Sequence, residues 1–326
     1  MTDSSYLSTA TLEALKLRSA KLRDLREYFY RNGFDEVQTP ILSQDTVIDR
    51  HLNPLEVEVR DFPARHPGSY SWYLQTSPEQ NMKRLLSSGM KSIFQIGPVF
   101  RAAEFGTNHN PEFTMAEWYR VGDDLESGIQ LLEAIVVELL KTATPIRSTF
   151  AIEFALWTGL DPLGSPIEAL QDHAMARRFV ADRSWSAHRD DWIDLIFSHD
   201  VQPNLGTETP LVVTHFPATQ AALAKISEGD RRTAERFEIF YRGVELANGY
   251  HELLDAQVLR KRNVEANRHR LLDGKKALPE ESRLLDAMDA GLPSCCGCAM
   301  GFDRIVMLAG GYNRLEQVLC FPWDRA

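Results

Sequence analysis

Aromatic and carboxylate side chains alternate along residues 112–121, where the sequence reads EFTMAEWYRV. If this segment is a β-strand, its period of two puts Phe113, Met115, Glu117 and Tyr119 on one face. A face that mixes rings with a carboxylate is a poor core, but it suits a ligand that carries a flat ring and an ammonium group. An edge strand with its polar face in solvent is the alternative that the pattern leaves open.

Two basic residues on the N-terminal side of this segment could bind anions. Arg101 ends a predicted strand over 93–101, and a guanidinium there can bind a phosphate or a carboxylate through two hydrogen bonds. A surface ion pair is the alternative for Arg101. His109, beside Asn110, could bind a phosphate or simply occupy a turn.

Three carboxylates recur every seven residues in a later, largely apolar segment, at Glu238, Glu245 and Glu252. A solvated helix face would explain that spacing, but Asn248 and Gly249 form a turn signal that argues against a continuous helix. Carboxylates flanked by apolar strand residues need cations, and Mg²⁺ or an ammonium group would serve.

A segment rich in small residues, 297–301, precedes Arg304. Small side chains let the backbone approach a ligand closely, and an arginine at the start of a helix adds to an anion site there. Cys295 and Cys298 form a C-x-x-C pair, but the second pair that a zinc ribbon needs is missing.

The elements that must position these residues are strands mixed with helices, without a regular βαβ alternation. This order predicts an α+β fold with an antiparallel sheet flanked by helices. We predict helices over 11–31, 78–90, 124–141, 256–272 and 302–309. We predict strands over 55–60, 72–75, 93–101, 112–121 and 295–301, and strands near 236–255. A single catalytic domain over 1–326 would carry a mostly helical insertion at about 142–230.

Composition excludes several classes of protein. The 326 residues have a net charge of −10, which argues against unspecific binding to nucleic acid because phosphates attract surplus Lys and Arg. The sequence contains no long apolar run and no secretory signal, so no membrane span is predicted. Four cysteines rule out a disulfide scaffold and predict a cytoplasmic protein. Dinucleotide-binding and P-loop glycine patterns are missing from the sequence.

Together these segments resemble the three motifs of class II aminoacyl-tRNA synthetases, and within them the lysine branch. Residues 33–40 (GFDEVQTP) are similar to motif 1, 100–120 to motif 2 and 301–304 (GFDR) to motif 3. The string HNPEFTM at 109–115 is highly specific to lysine enzymes. The resemblance covers nearly the whole chain and implies the class II fold, ATP as a substrate, Mg²⁺, and a homodimer with Pro40 at its interface.

Within the lysine branch, the sequence is most similar to a group of free-standing paralogues that join (R)-β-lysine to a lysine of elongation factor P. The strings that carry this similarity are 77–79 (SPE), 117–120 (EWYR), 234–238 (AERFE) and 245–253 (ELANGYHEL).

The resemblance also implies a role for each candidate residue. ATP would be bound by Arg101, Glu104, His109, Asn110, Phe113, Glu245 and Arg304, with Arg101 and Arg304 as the catalytic residues. The amino acid would be bound by Ser77, Glu79, Glu117, Tyr119, Asn248, Glu252 and Ala299. Mg²⁺ would be bound by Glu238 and Glu245. In this scheme Phe113 stacks on adenine, while Glu117, Tyr119 and Glu252 surround the ε-ammonium group of the substrate.

Three departures from the lysyl-tRNA synthetases bear on substrate and acceptor. About ten residues precede the first predicted helix, which leaves no room for an anticodon-binding OB domain, so elongation factor P rather than tRNA is the expected acceptor. Motif 2 usually continues from its Arg with Asn-Glu, whereas Ala102 and Ala103 follow here and Glu104 comes one residue late. Ala299 replaces a glycine, which would disfavour α-lysine. A minimal lysyl-tRNA synthetase, a small-molecule amide ligase on the same fold and an inactive regulatory paralogue are the alternatives.

Overall fold

The computed structural model describes residues 6–59 and 71–326. The helices within these residues are α1 (Leu12–Arg31), α2 (Glu79–Ser87), α3 (Leu125–Leu140), α4 (Phe150–Thr158), α5 (Ile167–Ala176), α6 (Arg189–Ile196), α7 (Ala256–Leu272), α8 (Arg283–Gly291) and α9 (Phe302–Ala309). The strands are β1 (Asp35–Glu36), β2 (Leu42–Ser43), β3 (Glu56–Glu58), β4 (Ser71–Leu74), β5 (Ser92–Phe100), β6 (Glu112–Val121), β7 (Ile146–Thr149), β8 (Leu211–Pro217), β9 (Thr233–Tyr241), β10 (Val244–His251) and β11 (Cys295–Gly301).

The predicted α+β class is confirmed, and the predicted elements agree closely with the observed ones. The bounds of β6, α7, β11 and α9 match the predictions at both ends. The predicted strand over 55–60 is shorter in the structure, and its residue 60 lies outside the described residues.

The described residues form two compact units, of which unit 1 comprises the chain up to Asp124 and from Leu253 onward. Its strands follow the order β1-β5-β6-β11, with β1 and β5 parallel and the other pairs antiparallel. A small antiparallel sheet of order β2-β4-β3 also belongs to this unit. The long β6 strand therefore has a paired neighbour on each side, which holds its side chains in a fixed register.

Helix α1 packs its apolar stripe into unit 1. Thr11 caps its first turn by accepting a hydrogen bond from the amide of Ala14, and the left-handed Gly33 follows its end. Phe29 is fully buried and stacks on Phe94 of β5, with 4.4 Å between ring centroids. The apolar face of α1 is therefore buried largely within unit 1, while Leu12 at the start of the helix is 70% exposed.

Unit 2 covers Leu125–Glu252, and its strands follow the order β10-β9-β8-β7. The pairs β10–β9 and β9–β8 are antiparallel, whereas β8 and β7 are parallel. Strands β9 and β10 join through a tight turn in which Arg242 and Gly243 both have positive φ, as a two-residue hairpin of this kind requires.

The segment 142–230, predicted as mostly helical, contains helices α4 to α6 but also strands β7 and β8, which the sequence analysis missed. Strand β8 is buried along nearly its whole length, so its apolar run LVV lacks the alternation that identifies a half-exposed strand. The assignment of residues 1–326 to one catalytic domain stays a prediction. No helix in the described part of the chain is long and apolar enough to span a membrane.

Candidate functional site

Strand β6 presents the face that its sequence predicted. Its register with β11 places Ala299 directly opposite Glu117. Directly opposite residues of an antiparallel pair share a face, so the Ala299 methyl group and the Glu117 carboxylate are neighbours. The structure therefore brings together two residues that are 182 positions apart and that the sequence assigned to one amino-acid pocket.

Glu117 is a deeply buried carboxylate of unit 1, with 1% of its surface exposed. It accepts hydrogen bonds from the hydroxyl groups of Tyr119 at 2.6 Å and Ser77 at 2.7 Å. Burial raises the pKa of Glu117 to about 7, and the nearby charge of Glu79 adds to this effect, while the two hydroxyl groups and Lys83 oppose it. A cation placed against Glu117 would restore its ionised form.

Lys83 belongs to the same group of residues, although the sequence analysis missed it. Its Nζ lies 2.5 Å from Oε1 of Glu79 and 5.8 Å from the centroid of the Tyr119 ring, and only 1% of the residue is exposed. The i,i+4 spacing of Glu79 and Lys83 on α2 is a sequence signal that could have revealed this pair. A substrate amine at Glu79 would share that carboxylate with the Lys83 ammonium group.

Arg101 and Phe113, which the resemblance to motif 2 assigns to ATP, lie against each other. The Arg101 Cζ is 5.1 Å from the centroid of the Phe113 ring, and its Nε donates to the carbonyl oxygen of Thr76 at 3.3 Å. Glu104 pairs with Arg101 at 3.6 Å. Ala103 lies between them and has a φ of 65°, a left-handed conformation that turns the chain. Glu104 therefore lies beside Arg101 although it comes one residue late in the motif.

His109 and Arg304, both of which the resemblance assigns to the terminal phosphates of ATP, lie together beside the first turn of α9. The His109 Nε2 is 2.9 Å from an Arg304 Nη2, and the Arg304 Nε donates to the carbonyl oxygen of Asn108 at 3.3 Å. Asn110 is 6% exposed and its side chain engages the protein itself: its Nδ2 donates to the carbonyl oxygen of Glu112 at 2.6 Å.

Asp303 is a second residue that the sequence analysis missed. Its buried carboxylate accepts from the amide of Thr114 at 2.8 Å and pairs with Arg18 of α1. Arg18 also donates to the Thr114 hydroxyl at 2.7 Å. Because Asp303 precedes Arg304 and Thr114 follows Phe113, this network fixes the backbone beside two predicted ATP-binding residues.

Unit 2 holds the predicted metal ligands. Glu238 is 5% exposed and accepts a hydrogen bond from Arg236 at 2.5 Å. Burial raises the pKa of Glu238 to about 7. The negative charge of Glu245 adds to this rise, whereas Arg236 opposes it. Asn248 lies directly opposite Glu238 in the hairpin, and its Nδ2 contacts the Tyr250 hydroxyl at 3.1 Å.

Glu252 is the last residue of unit 2, directly after β10, and is 1% exposed.

Within each unit, the structure brings predicted residues close to one another. In unit 1 the groups are Ser77, Glu79, Glu117, Tyr119 and Ala299; Arg101, Glu104 and Phe113; and His109 and Arg304. In unit 2 the group is Glu238, Glu245 and Asn248.

The described residues contain no cluster of three or more His, Cys, Asp or Glu side chains that could hold a metal ion by themselves. Glu238 and Glu245 are two carboxylates close enough to repel each other. Mg²⁺ commonly binds to one or two protein carboxylates and completes its shell with phosphate oxygens and water, so this donor pair fits a Mg²⁺ that arrives with ATP.

Comparison with known proteins agrees with these features. The sequence profile of the class II tRNA synthetases of the D, K and N group matches residues 5–325. The chain is 40% identical over 326 residues to the elongation factor P–(R)-β-lysine ligase of Vibrio cholerae, covering 100% of both chains. It is also 40% identical to the ligases of that name from Pseudoalteromonas translucida, over 98% of both chains, and Klebsiella pneumoniae, over 99% of this chain and 98% of the relative.

Proposed function

Because the chain belongs to the class II tRNA synthetases of the D, K and N group, we propose that it activates (R)-β-lysine with ATP and transfers it to a lysine side chain of elongation factor P. The relatives that are 40% identical over their full length carry that activity in their names. The observation that carries the proposal is Glu117, a buried carboxylate bonded to two hydroxyl groups, because an ammonium ligand would compensate the cost of burying its charge.

The reaction has two steps and needs no nucleophile from the protein. A carboxylate oxygen of the amino acid attacks the α-phosphorus of ATP, pyrophosphate leaves, and an aminoacyl-adenylate forms. The acceptor amine then attacks the carbonyl carbon of the adenylate, AMP leaves with the bonding electron pair, and the new amide nitrogen loses a proton. Arg101 would stabilise the charge that develops on the α-phosphate, while Phe113 stacks on adenine. His109 and Arg304 would bind the terminal phosphates.

The amino acid would be held at both ends. Glu117 and Tyr119 would bind its ε-ammonium group, while Ser77 keeps Glu117 oriented through its hydroxyl group. Glu79 would bind the other amine. Fixed donors and acceptors of this kind orient the substrate carboxylate for attack.

Asn248 would donate to the substrate carboxylate. Its Oδ1 is buried and, among the described residues, has no hydrogen-bond partner. Rotating the amide by 180° would let the Tyr250 hydroxyl donate to Oδ1 and would leave Nδ2 as a donor for the ligand. In this rotated arrangement both ends of the amide have partners once a substrate carboxylate accepts from Nδ2, which supports a carboxylate-binding role.

Glu238 and Glu245 would hold Mg²⁺, which when bound neutralises negative charge on the ATP phosphates. Glu104 comes one residue late in motif 2 but still pairs with Arg101, and it would complete the ATP site.

We further propose a cytoplasmic homodimer. Leu12 is 70% exposed and Tyr30 is 54% exposed at opposite ends of α1, and Ile41 next to Pro40 of motif 1 is 38% exposed. These apolar side chains suit an isologous interface. Sedimentation at micromolar concentration should give twice the chain mass, and a monomer would refute this part of the proposal.

Pyrophosphate exchange with α-lysine, (R)-β-lysine and no amino acid tests the activation step. We expect exchange with (R)-β-lysine to exceed exchange with α-lysine. Labelled β-lysine, ATP and enzyme are then incubated with elongation factor P or with tRNA. Label on elongation factor P supports the proposal, whereas label on tRNA identifies a minimal lysyl-tRNA synthetase. Activation without transfer to either would favour an amide ligase with a small acceptor.

A further inference from the structure

The loop of motif 2, residues 102–110, projects from the ends of β5 and β6 and carries His109. The amide of Arg101 donates to the carbonyl oxygen of Pro111 at 2.8 Å and closes the base of the loop. Near its tip, Phe105 is 52% exposed. An exposed loop of this length loses conformational freedom when it is held in one arrangement, so other contacts must hold His109 in place.

Those contacts come from the C-terminal segment, residues 314–324, which also belongs to unit 1. The amide of Leu315 donates to the carbonyl oxygen of Thr107 at 2.8 Å. The Trp323 ring packs on the Phe105 ring, with 4.7 Å between the centroids. The C-terminal segment therefore contacts the loop through both its backbone and an aromatic pair.

Asn110 provides the third contact. Its Oδ1 accepts from the amide of Trp323 at 3.0 Å, while its Nδ2 donates to the carbonyl oxygen of Glu112 at 2.6 Å. Both ends of this buried amide thus connect the C-terminal segment to the first residue of β6. Aspartate at this position would keep the acceptor but would set an oxygen against the Glu112 carbonyl.

A cavity of about 430 Å³ lies between the loop and the C-terminal segment, lined by residues that include Thr107, His109, Arg314 and Trp323. The two segments are therefore bridged at a few points rather than packed tightly along their length. Outside these bridges, the loop is held by the hydrogen bond from Arg304 to the carbonyl oxygen of Asn108 and by that from the amide of Ala102 to the carbonyl oxygen of Asn53. The two bridges that side chains make, through Trp323 and through Asn110, can each be removed by a single substitution.

We propose that the C-terminal segment is a clamp for the motif 2 loop, and that Trp323 and Asn110 are positioning residues for ATP. The clamp acts through His109, which neighbours Asn110 in the chain and lies 2.9 Å from Arg304. The inference rests on the proposed function in one respect, that His109 and Arg304 bind the ATP phosphates.

Direct ATP binding tests the clamp independently of the amino acid and of the acceptor. Calorimetry of the full chain with Mg²⁺ and a non-hydrolysable ATP analogue should show affinity weakened about three- to tenfold by Trp323→Ala, the range expected for a lost aromatic pair. Trp323→Phe should restore most of the affinity. In pyrophosphate exchange, KM for ATP should rise while KM for the amino acid changes less than about twofold.

A double-mutant cycle separates positioning from a general loss of structure. Phe105→Ala should reproduce the effect of Trp323→Ala, and the double variant should be little worse than either single variant. Asn110→Asp should also weaken ATP binding. Trp157→Ala on α4 is the matched control, because Trp157 is 45% exposed against 56% for Trp323, and it should leave ATP affinity unchanged.

Unchanged ATP affinity in both Trp323→Ala and Phe105→Ala, or fully additive effects, would overturn the clamp. A lower melting temperature of Trp323→Ala, with equal losses of affinity for ATP and for the amino acid, would assign Trp323 a merely structural role. This result would also overturn the clamp. If the wild-type protein binds ATP but does not activate β-lysine, the proposed function fails while the clamp can still stand.

Discussion

The two units each bury a glutamate on a strand of a sheet, but they supply it with different partners. Glu117 in unit 1 accepts from the hydroxyl groups of Ser77 and Tyr119. Glu238 in unit 2 accepts from the guanidinium group of Arg236. Burial raises the pKa of each carboxyl group to about 7. The hydrogen bonds to the buried carboxylate thus come from neutral donors in unit 1, with the Lys83 charge nearby, and from a cation in unit 2.

This difference indicates what each carboxylate can bind. Glu117 is oriented by its hydroxyl partners but is not neutralised by them, and the Lys83 charge offsets its burial only in part, so a ligand ammonium group would gain a charge interaction there. Glu238 already has a cation beside it, and Glu245 adds a second negative charge nearby. A dication could still bind there, whereas a single ammonium group would gain less. The two glutamates should therefore respond differently to the same substitution.

The largest expected effect is that of Glu117→Gln. The variant keeps the shape of the side chain but removes the charge, and breaking a buried ion pair costs about 3–5 kcal/mol. We expect kcat/KM for the amino acid in pyrophosphate exchange to fall about 100- to 5000-fold, with KM for ATP nearly unchanged.

Glu112→Gln is the matched control, because Glu112 is an exposed residue at the start of the same strand. This variant should change kcat/KM for either substrate less than about twofold. If Glu117→Gln raised KM for ATP as much as KM for the amino acid, the assignment of Glu117 to the ammonium group would be wrong.

A smaller effect on a different ligand is expected from Glu238→Gln. The substitution leaves Arg236 in place without its carboxylate, so the site loses one negative charge and keeps a positive one. We expect the Mg²⁺ concentration for half-maximal pyrophosphate exchange to rise about tenfold, equivalent to about 1.4 kcal/mol. KM for the amino acid at saturating Mg²⁺ should stay close to that of the wild type.

Glu235→Gln is the control for this experiment. Glu235 lies three residues earlier on β9, and its carboxylate pairs with His251. A rise in the Mg²⁺ requirement of Glu235→Gln as large as that of Glu238→Gln would show a general electrostatic effect of the unit rather than a metal site.

Of the two glutamate environments, the sequence predicted that of Glu117 better, because Glu117 lies on the alternating face of β6. Alternation along one strand fixes which side chains share a face, so Phe113, Glu117 and Tyr119 could be grouped without a structure. The position of Ala299 opposite Glu117 could not be derived in this way, because the register of strands distant in sequence depends on the whole sheet. Motif 3 suggested it only through resemblance.

The residues that the sequence did not predict act through tertiary contacts. Lys83 looks like an ordinary charge on a helix, yet it is buried against Glu79. Trp323 lies in a segment without periodicity, and its contact with Phe105 depends on how the chain end folds back. Strand β8 was missed because burial on both faces removes the alternation that marks a strand.

The pH dependence of amino-acid binding should separate the two glutamates further. With the pKa of Glu117 raised to about 7 by burial, an ammonium ligand must bind to the ionised form and displace the proton. We expect the Kd for the amino acid to rise about tenfold from pH 8 to pH 6. Calorimetry in buffers of different ionisation enthalpy should show proton release near pH 7. Glu117→Gln should abolish this release, and a release that persists would assign the proton to another group.

The same shift predicts a change in the free energy of unfolding. The folded protein keeps a proton on Glu117 up to about pH 7, whereas the unfolded chain loses it near its ordinary value of 4.5. Stability should therefore fall as the pH rises through this window, by an amount on the order of 1–3 kcal/mol. In thermal melts Glu117→Gln should be more stable than the wild type at pH 8, with a smaller difference at pH 5. Equal pH profiles would contradict the raised pKa.

The smallest expected effect is that of Ala299→Gly. The methyl group of Ala299 lies beside Glu117, the proposed ligand of the ε-ammonium group, and in (R)-β-lysine the two amines are one carbon closer together than in α-lysine. A single methyl group in a tight pocket discriminates by about 1–3 kcal/mol, and we expect the lower end because Ala299 is only half-buried. Ala299→Gly should raise kcat/KM for α-lysine relative to β-lysine about five- to tenfold, while KM for ATP stays nearly constant.

Ala116→Gly, at a fully buried position of β6 opposite Met300, controls for the loosening of a strand by glycine. If both variants shift the preference equally, or if Ala299→Gly changes only ATP binding, the methyl group packs the sheet and does not select the substrate.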